Sequence, residues 1–211
     1  MDSSTLVSVS IHALVLGGQG RYEEAAALSR RVVAAEEKVL GREHRNTLTS
    51  VNNLAVVLSR QGKYKEAEVL HRRALAAKEK VQGREHPDTL KSVNNLAAVL
   101  AKQGKYEEAE ELNRRALAAK EKVLGREHPN TLTSLSNLAL VLDSQGRYEE
   151  AEVLNRRVLA AREKVLGREH PDTLTSLSNL AAVLKSRGKY EEAEVLERRV
   201  PASNKREGAG T

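Results

Sequence analysis

The chain contains no cysteine, tryptophan or phenylalanine, one methionine and five tyrosines among its 211 residues. Without cysteine there is no disulfide framework, no thiolate nucleophile and no sulfur-ligated zinc or iron–sulfur centre. That fits a reducing compartment, and the expected location is cytoplasmic. No apolar run approaches the roughly 18 residues needed to span a bilayer. The opening Met1-Asp2-Ser3-Ser4 lacks the basic and apolar regions of a secretory signal. So few aromatics leave no platform on which bases of a nucleic acid could stack.

Charge is plentiful by contrast. Lysine and arginine number 35 against 29 acidic residues, a formal net charge of +6. Such a balance attracts polyanions, and Arg72-Arg73, Arg114-Arg115 and Arg156-Arg157 are the obvious contacts. Each first arginine, however, follows a glutamate by four residues: Glu68, Glu110 and Glu152. Helical pairs at that spacing are each worth about 0.2–0.5 kcal/mol. The arginines therefore read as solvated helix faces, and a nucleic acid is not the expected partner.

The strongest signal is a period. Tyr22, Tyr64, Tyr106, Tyr148 and Tyr190 are spaced by 42 residues, as are Gly20, Gly62, Gly104, Gly146 and Gly188, and Gly41, Gly83, Gly125 and Gly167. Segments 47–88, 89–130 and 131–172 are nearly interchangeable, while 5–46 and 173–200 are imperfect copies. Within one unit, Pro87-Asp88-Thr89 predicts a helix start, with aspartate answering free N–H groups. Leu90, Val93, Leu96, Ala97 and Leu100 follow at steps of three and four, one face of a helix. Gln103-Gly104 predicts its end. A second helix, starting near Lys105 or Tyr106, carries the stripe Ala109, Leu112, Ala116, Ala119 and Val123 and ends at Gly125. Each unit is thus an all-α hairpin that cannot bury both stripes alone, which is why such units come in arrays.

These residues resemble a known family. The run at 93–110, Val-Asn-Asn-Leu-Ala-Ala-Val-Leu-Ala-Lys-Gln-Gly-Lys-Tyr-Glu-Glu-Ala-Glu, is similar to a tetratricopeptide repeat. The 42-residue spacing and the stretch Arg-Glu-Lys-Val-Leu-Gly-Arg-Glu-His-Pro-Asp at 162–172 resemble the variety found in kinesin light chains and in the sensor arrays of STAND-type nucleotide-binding proteins. The resemblance implies a right-handed α-solenoid of antiparallel helix hairpins over residues 1–200, a protein or peptide partner, and no enzyme activity. The chain has no Walker-type Gly-x-x-x-x-Gly-Lys-Ser/Thr motif and no heptad region ahead of the repeats.

There are departures. Where the family carries an aromatic in the second helix stand Ser29, His71, Asn113, Asn155 and Glu197, so this seam is expected to be looser or more exposed. His12 replaces the leucine found at 54, 96, 138 and 180, and Ile11 the recurrent asparagine. Pro201 interrupts the last second helix, and the polar tail 201–211 is expected to be disordered. The imperfect ends suggest a piece of a longer array or a degenerate product, with ends able to self-associate.

In this family the first helices line the concave surface. Thr49, Asn53, Val56 and Arg60 share one face. Their counterparts are Lys91, Asn95, Ala98 and Lys102; Thr133, Asn137, Leu140 and Ser144; and Thr175, Asn179, Ala182 and Ser186. The recurrent Asn53, Asn95, Asn137 and Asn179, with Asn52 and Asn94 beside the first two, can pair with an extended peptide's N–H and C=O groups. Val56 and Leu140 would supply apolar pockets, and Arg60, Lys91 and Lys102 would favour an acidic segment. The alternative is that the asparagines tie neighbouring helices together. His44, His86, His128 and His170 recur in loops, at a helix spacing of about 8–10 Å, too far apart to share one metal ion. They read as loop or cap residues. No nucleophile–base pair or paired carboxylates single out an active site, and no cofactor, metal or small-molecule substrate is expected.

Overall fold

A computed structural model describes residues 3–200 as helices and tight turns. The helices are α1 (Ser3–Gly18), α2 (Tyr22–Leu40), α3 (Arg45–Arg60), α4 (Tyr64–Gln82), α5 (Pro87–Lys102), α6 (Tyr106–Leu124), α7 (Pro129–Ser144), α8 (Tyr148–Leu166), α9 (Pro171–Ser186) and α10 (Tyr190–Arg198). No strand occurs among the described residues, in accord with the all-α class. First helices have 16 residues and second helices 19, except α10 with nine. The tail 201–211, expected to be disordered, lies outside the described residues. The chain forms two compact units that divide between Leu112 and Asn113, within α6.

The helix starts fall where expected, and the histidines read as loop or cap residues supply the caps. The caps of α3, α5, α7 and α9 are His44, His86, His128 and His170, each in extended backbone. Their Nδ1 atoms accept from the N–H of Asn46, Asp88, Asn130 and Asp172 at 3.1–3.2 Å. Histidine performs the capping that had been expected of Asp88, which instead sits in the first turn, where its charge suits the helix dipole. His86→Ala is expected to lower stability by about 1 kcal/mol, the usual worth of a cap. His86→Asp should restore most of it, both read as midpoints of chemical unfolding.

The two helix ends of a hairpin use glycine differently. Gly104 (φ 76°) closes α5. Lys105 N–H bonds Leu100 O at 2.9 Å and Gly104 N–H bonds Ala101 O at 3.0 Å, the paired pattern that satisfies terminal carbonyls. Gly83 after α4 has φ 91° and ψ 163°, a region essentially closed to side-chain-bearing residues. This second turn swings the chain out into an extended His-Pro or His-Arg entry to the next helix.

In the first unit, α1 to α5 pack in order, each against the next. Leu16, Ala25, Val51, Leu54, Ala55, Val57, Leu58, Ala67, Ala74 and Val99 form one continuous core. In the second, α7 to α10 pack in order, around Leu138, Leu142, Ala151 and Val183 and around Leu159, Leu177, Leu180, Leu184 and Ala193. The predicted first-helix stripe Leu90, Val93, Leu96, Ala97 and Leu100 is buried throughout.

Two expectations about the second helices are corrected. Val123 is 58% exposed rather than part of the core, as are Val39, Val81 and Val165 at the same place. A 19-residue helix outruns its 16-residue neighbours by about 4.5 Å at 1.5 Å per residue, so its last turn has nothing to cover it. The seam at Ser29, His71, Asn113 and Asn155 is buried, not loose. In the second hairpin, His71 Nδ1 donates to Asn52 Oδ1 at 2.9 Å, so a polar pair replaces the aromatic. Glu197, on the short α10, is half-buried and accepts from Lys185 at 2.6 Å.

Candidate functional site

On each first helix the face opposite the core stripe carries the expected residues, and the side chains divide into two kinds. The hydroxyls are engaged with their own helix: Thr49 donates to Arg45 O, Thr133 to Pro129 O, Thr175 to Pro171 O and Ser144 to Leu140 O, at 2.9–3.0 Å. Asn53, Asn95, Asn137 and Asn179 are half-buried. Their amides bond no protein group among the described residues. Asn52 is buried and bonded to His71, and Asn94 is also engaged. Two of the six asparagines singled out in the sequence therefore already interact within the chain.

In the first unit the remaining residues converge. A recess of about 330 Å³ is lined by Leu14, Gly17 and Gly18 of α1, by Asn52, Asn53, Val56, Val57 and Arg60 of α3, and by Lys91 and Asn95 of α5. Arg60 and Lys91 are exposed, and no acidic side chain of the described residues pairs with either. The recess therefore has an apolar wall, open amides and two free cations. Lys102 lies on the same helix as Lys91 but does not line it. In the second unit, Asn137 stands beside Leu140, which is exposed, and Asn179 repeats the position on α9.

The arginine pairs of the second helices are committed. Arg72 bridges Glu68 (2.9 Å) and Glu108 (2.6 Å), and Arg156 bridges Glu152 (2.8 Å) and Glu192 (2.7 Å). Arg73 pairs with Glu37 and Arg157 with Glu121, each at 2.6 Å. The expected four-residue glutamate–arginine pairs are present at Glu68–Arg72 and Glu152–Arg156, but the carboxylates do more than decorate a surface. Glu68 also accepts from Gln103 and Lys105 of the next hairpin at 2.8 Å, and Glu152 from Arg187 and Lys189. Burial pushes both carboxyls up, yet the hydrogen bonds from these donors and from the neighbouring arginine outweigh it and hold each at about 2.

A second set of junction residues escaped the sequence reading. Lys78, Lys120 and Arg162 are buried cations on second helices, reaching Ser92, Ser134 and Ser176 of the next first helix at 3.0, 2.8 and 2.8 Å. Burial lowers the basicity of all three. Long charged chains are rarely buried, so a stripe pattern counts them as surface. The repeated cation–serine spacing was the available signal. No cluster of three potential metal ligands occurs among the described residues.

The comparisons with known proteins agree with this geometry. A tetratricopeptide repeat model matches residues 5–80, 48–122, 88–164 and 145–200. The chain belongs to the tetratricopeptide repeat family. Among solved structures it is similar to the nearly identical tetratricopeptide-like repeats of a Podospora anserina protein assigned as a kinesin light chain, with 34% identity, 95% of both chains covered and a TM-score of 0.83. BtubC (BKLC) from P. vanneervenii shares the fold at 24% identity, over 90% of this chain and 76% of that one, with a TM-score of 0.77. A Rap protein solved in complex with competence and sporulation factor shares it at 16% identity, over 90% of this chain and 51% of that one, with a TM-score of 0.75. No curated protein matches. The fold is one typical of protein-interaction scaffolds. No helix among the described residues is long and apolar enough to cross a membrane.

Proposed function

We propose that the chain is a non-catalytic scaffold whose first-helix face binds an extended, acidic peptide segment of another protein. The observation that carries this reading is the recess of the first unit, where the unbonded amides of Asn53 and Asn95 meet the unpaired cations Arg60 and Lys91 beside Leu14 and Val56. Open amides suit a peptide backbone, and two cations free of intramolecular partners suit a carboxylate. The tetratricopeptide fold of a Rap protein solved with competence and sporulation factor, and the kinesin-light-chain-like neighbours, favour a macromolecular partner over a small substrate; a cargo adaptor or the sensor array of a larger switch protein would use the same face. A cytoplasmic location suits a chain without cysteine.

The test is retention of an immobilised panel of acidic, neutral and basic ten-residue peptides, followed by calorimetry on the best binder. Acidic peptides should be favoured, and Arg60→Glu with Lys91→Glu should weaken binding at least tenfold with the melting temperature unchanged. Asn95→Ala should weaken it several-fold. Equal retention of acidic and basic peptides, or full affinity in the double variant, would sink the groove reading.

A further inference from the structure

Two junctions between hairpins, one in each unit, use the same four-part set. On the second helix stand a glutamate and, four residues on, an arginine: Glu68 and Arg72 in the first unit, Glu152 and Arg156 in the second. On the following hairpin, two donors in the turn receive the glutamate, 35 and 37 residues along: Gln103 and Lys105, or Arg187 and Lys189. A glutamate 36 residues beyond the arginine receives it: Glu108 or Glu192.

Both halves of this set also stand unmatched. On α10, Glu194 and Arg198 occupy the second-helix places. They are 69% and 77% exposed and, among the described residues, paired only with each other, at 3.3 Å. On the opposite face of the repeat, the turn before α2 offers Gln19 and Arg21, and α2 offers Glu24. Gln19 is exposed, and Arg21 and Glu24 are exposed and paired with each other at 2.6 Å. The apolar part of the junction repeats the pattern. Val15 is 50% exposed, whereas Val57, Val99, Val141 and Val183, its equivalents, are all buried.

We propose that the α9–α10 face of one copy docks onto the α1–α2 face of a second copy, head to tail. Glu194 would take the place of Glu152 against Gln19 and Arg21 of the next copy, Arg198 would reach its Glu24, and Val15 would be covered. The charges complement in register because the repeat itself sets them. Such a contact joins two different faces, so it lets copies add one after another rather than pairing them as a symmetric two-fold dimer. Because α10 has nine residues where other second helices have 19, the contact is smaller than an internal junction. Its exposed charges also make it sensitive to salt. It uses none of the groove residues.

Sedimentation of the full chain tests this, from about 10 µM to about 1 mM protein at roughly 50 and 500 mM salt, a range over which screening changes strongly. The average mass should climb with concentration at low salt and fall back at high salt. Glu194→Arg with Arg198→Glu should remove association, and so should Arg21→Glu with Glu24→Arg. A mixture of those two variants pairs intact faces with intact faces and swapped faces with swapped faces, so it should restore growth, as should all four changes in one chain. All four side chains involved in the swap are on the surface, and circular dichroism checks that the variants remain helical. A wild-type chain that stays monomeric throughout, single-face variants that associate like wild type, or a mixture of the two variants that stays monomeric would each overturn the proposal. Peptide binding by the face variants should be unaffected, so failure here leaves the groove reading standing.

Discussion

Replacing His71 by asparagine is expected to remove about 3 kcal/mol of stability loss between pH 7 and pH 4. His71 is buried on α4, with Nδ1 donating to Asn52 Oδ1. Burial, helped by the charge of Lys78, lowers its pKa to about 4. In the unfolded chain the imidazole binds a proton near its ordinary value of about 6.5. The folded pKa is the lower one, so the unfolded state takes up the proton first as the pH falls. Stability is fully present above about 6.5, declines below it, and stops declining from this source near 4. A difference of about 2.5 units at about 1.4 kcal/mol per unit gives the estimate. Asn113 and Asn155 occupy the equivalent place, fully buried and without charge. His71→Asn should therefore fold, and urea unfolding at pH 7, 5.5 and 4 should show the wild-type-minus-variant difference growing on acidification. A difference independent of pH would show that the ring is not held neutral. The carboxylates Glu68 and Glu152 act in a lower window, below about 4.5, and are common to both proteins.

Much of this architecture was legible because the chain states it several times. One tyrosine or glycine proves little; five at an interval of 42 fix the hairpin length and both turns. The apolar stripe of the first helices was readable because their packing residues are Leu, Val and Ala at steps of three and four. The second helices were harder, for reasons particular to their residues. Lys78, Lys120 and Arg162 look like surface positions until a serine from the next hairpin is seen to bond each of them. His71 and Asn155 look like a poor substitute for an aromatic until their burial is seen. Val123 looks like core because its angle on the helix is right, but the partner helix ends before it.

The groove was legible as a face but not as a site. Spacing puts Asn53, Asn95, Asn137 and Asn179 on one side of the first helices, and it cannot tell them from Asn52 and Asn94, one residue away. The structure separates the two rows by their partners: the first row is unbonded, the second engaged. Nor does spacing show that Leu14, Gly17 and Gly18 of α1 close the recess with Arg60 and Lys91. That depends on how neighbouring hairpins stack, and α1 departs from the repeat at these positions.

Introducing a charge in place of Ala26 is expected to stabilise the protein by about 2 kcal/mol. Ala26 stands on α2 where Glu68 and Glu152 stand on α4 and α8, and the rest of their setting is already built around it. Arg30 lies four residues on, as Arg72 does from Glu68. Gln61 and Lys63 occupy the turn places of Gln103 and Lys105. Without a carboxylate between them, Arg30 reaches only Glu66, at 3.2 Å, and Lys63 only Glu23, at 3.7 Å. The Gln61 amide is left with both Nε2 and Oε1 buried and unbonded, a condition that costs about 1–3 kcal/mol. Ala26→Glu would give that amide an acceptor and add charge-assisted bonds from Lys63 and Arg30. Desolvating the new carboxylate opposes this, and the half-exposed cations are partly screened, which keeps the expected gain near 2 kcal/mol. The melting temperature should rise by several degrees, at about 2–4 °C per kcal/mol for a chain of this size. Ala26→Gln fills the same space without the charge and should recover only part of the gain. The added stability should vanish as the pH falls through the carboxylate range, because the new carboxyl, like Glu68 and Glu152, would be held ionised only by the folded state. An Ala26→Glu variant no more stable than wild type at neutral pH would mean that the four-part junction is a consequence of packing rather than a contributor to it.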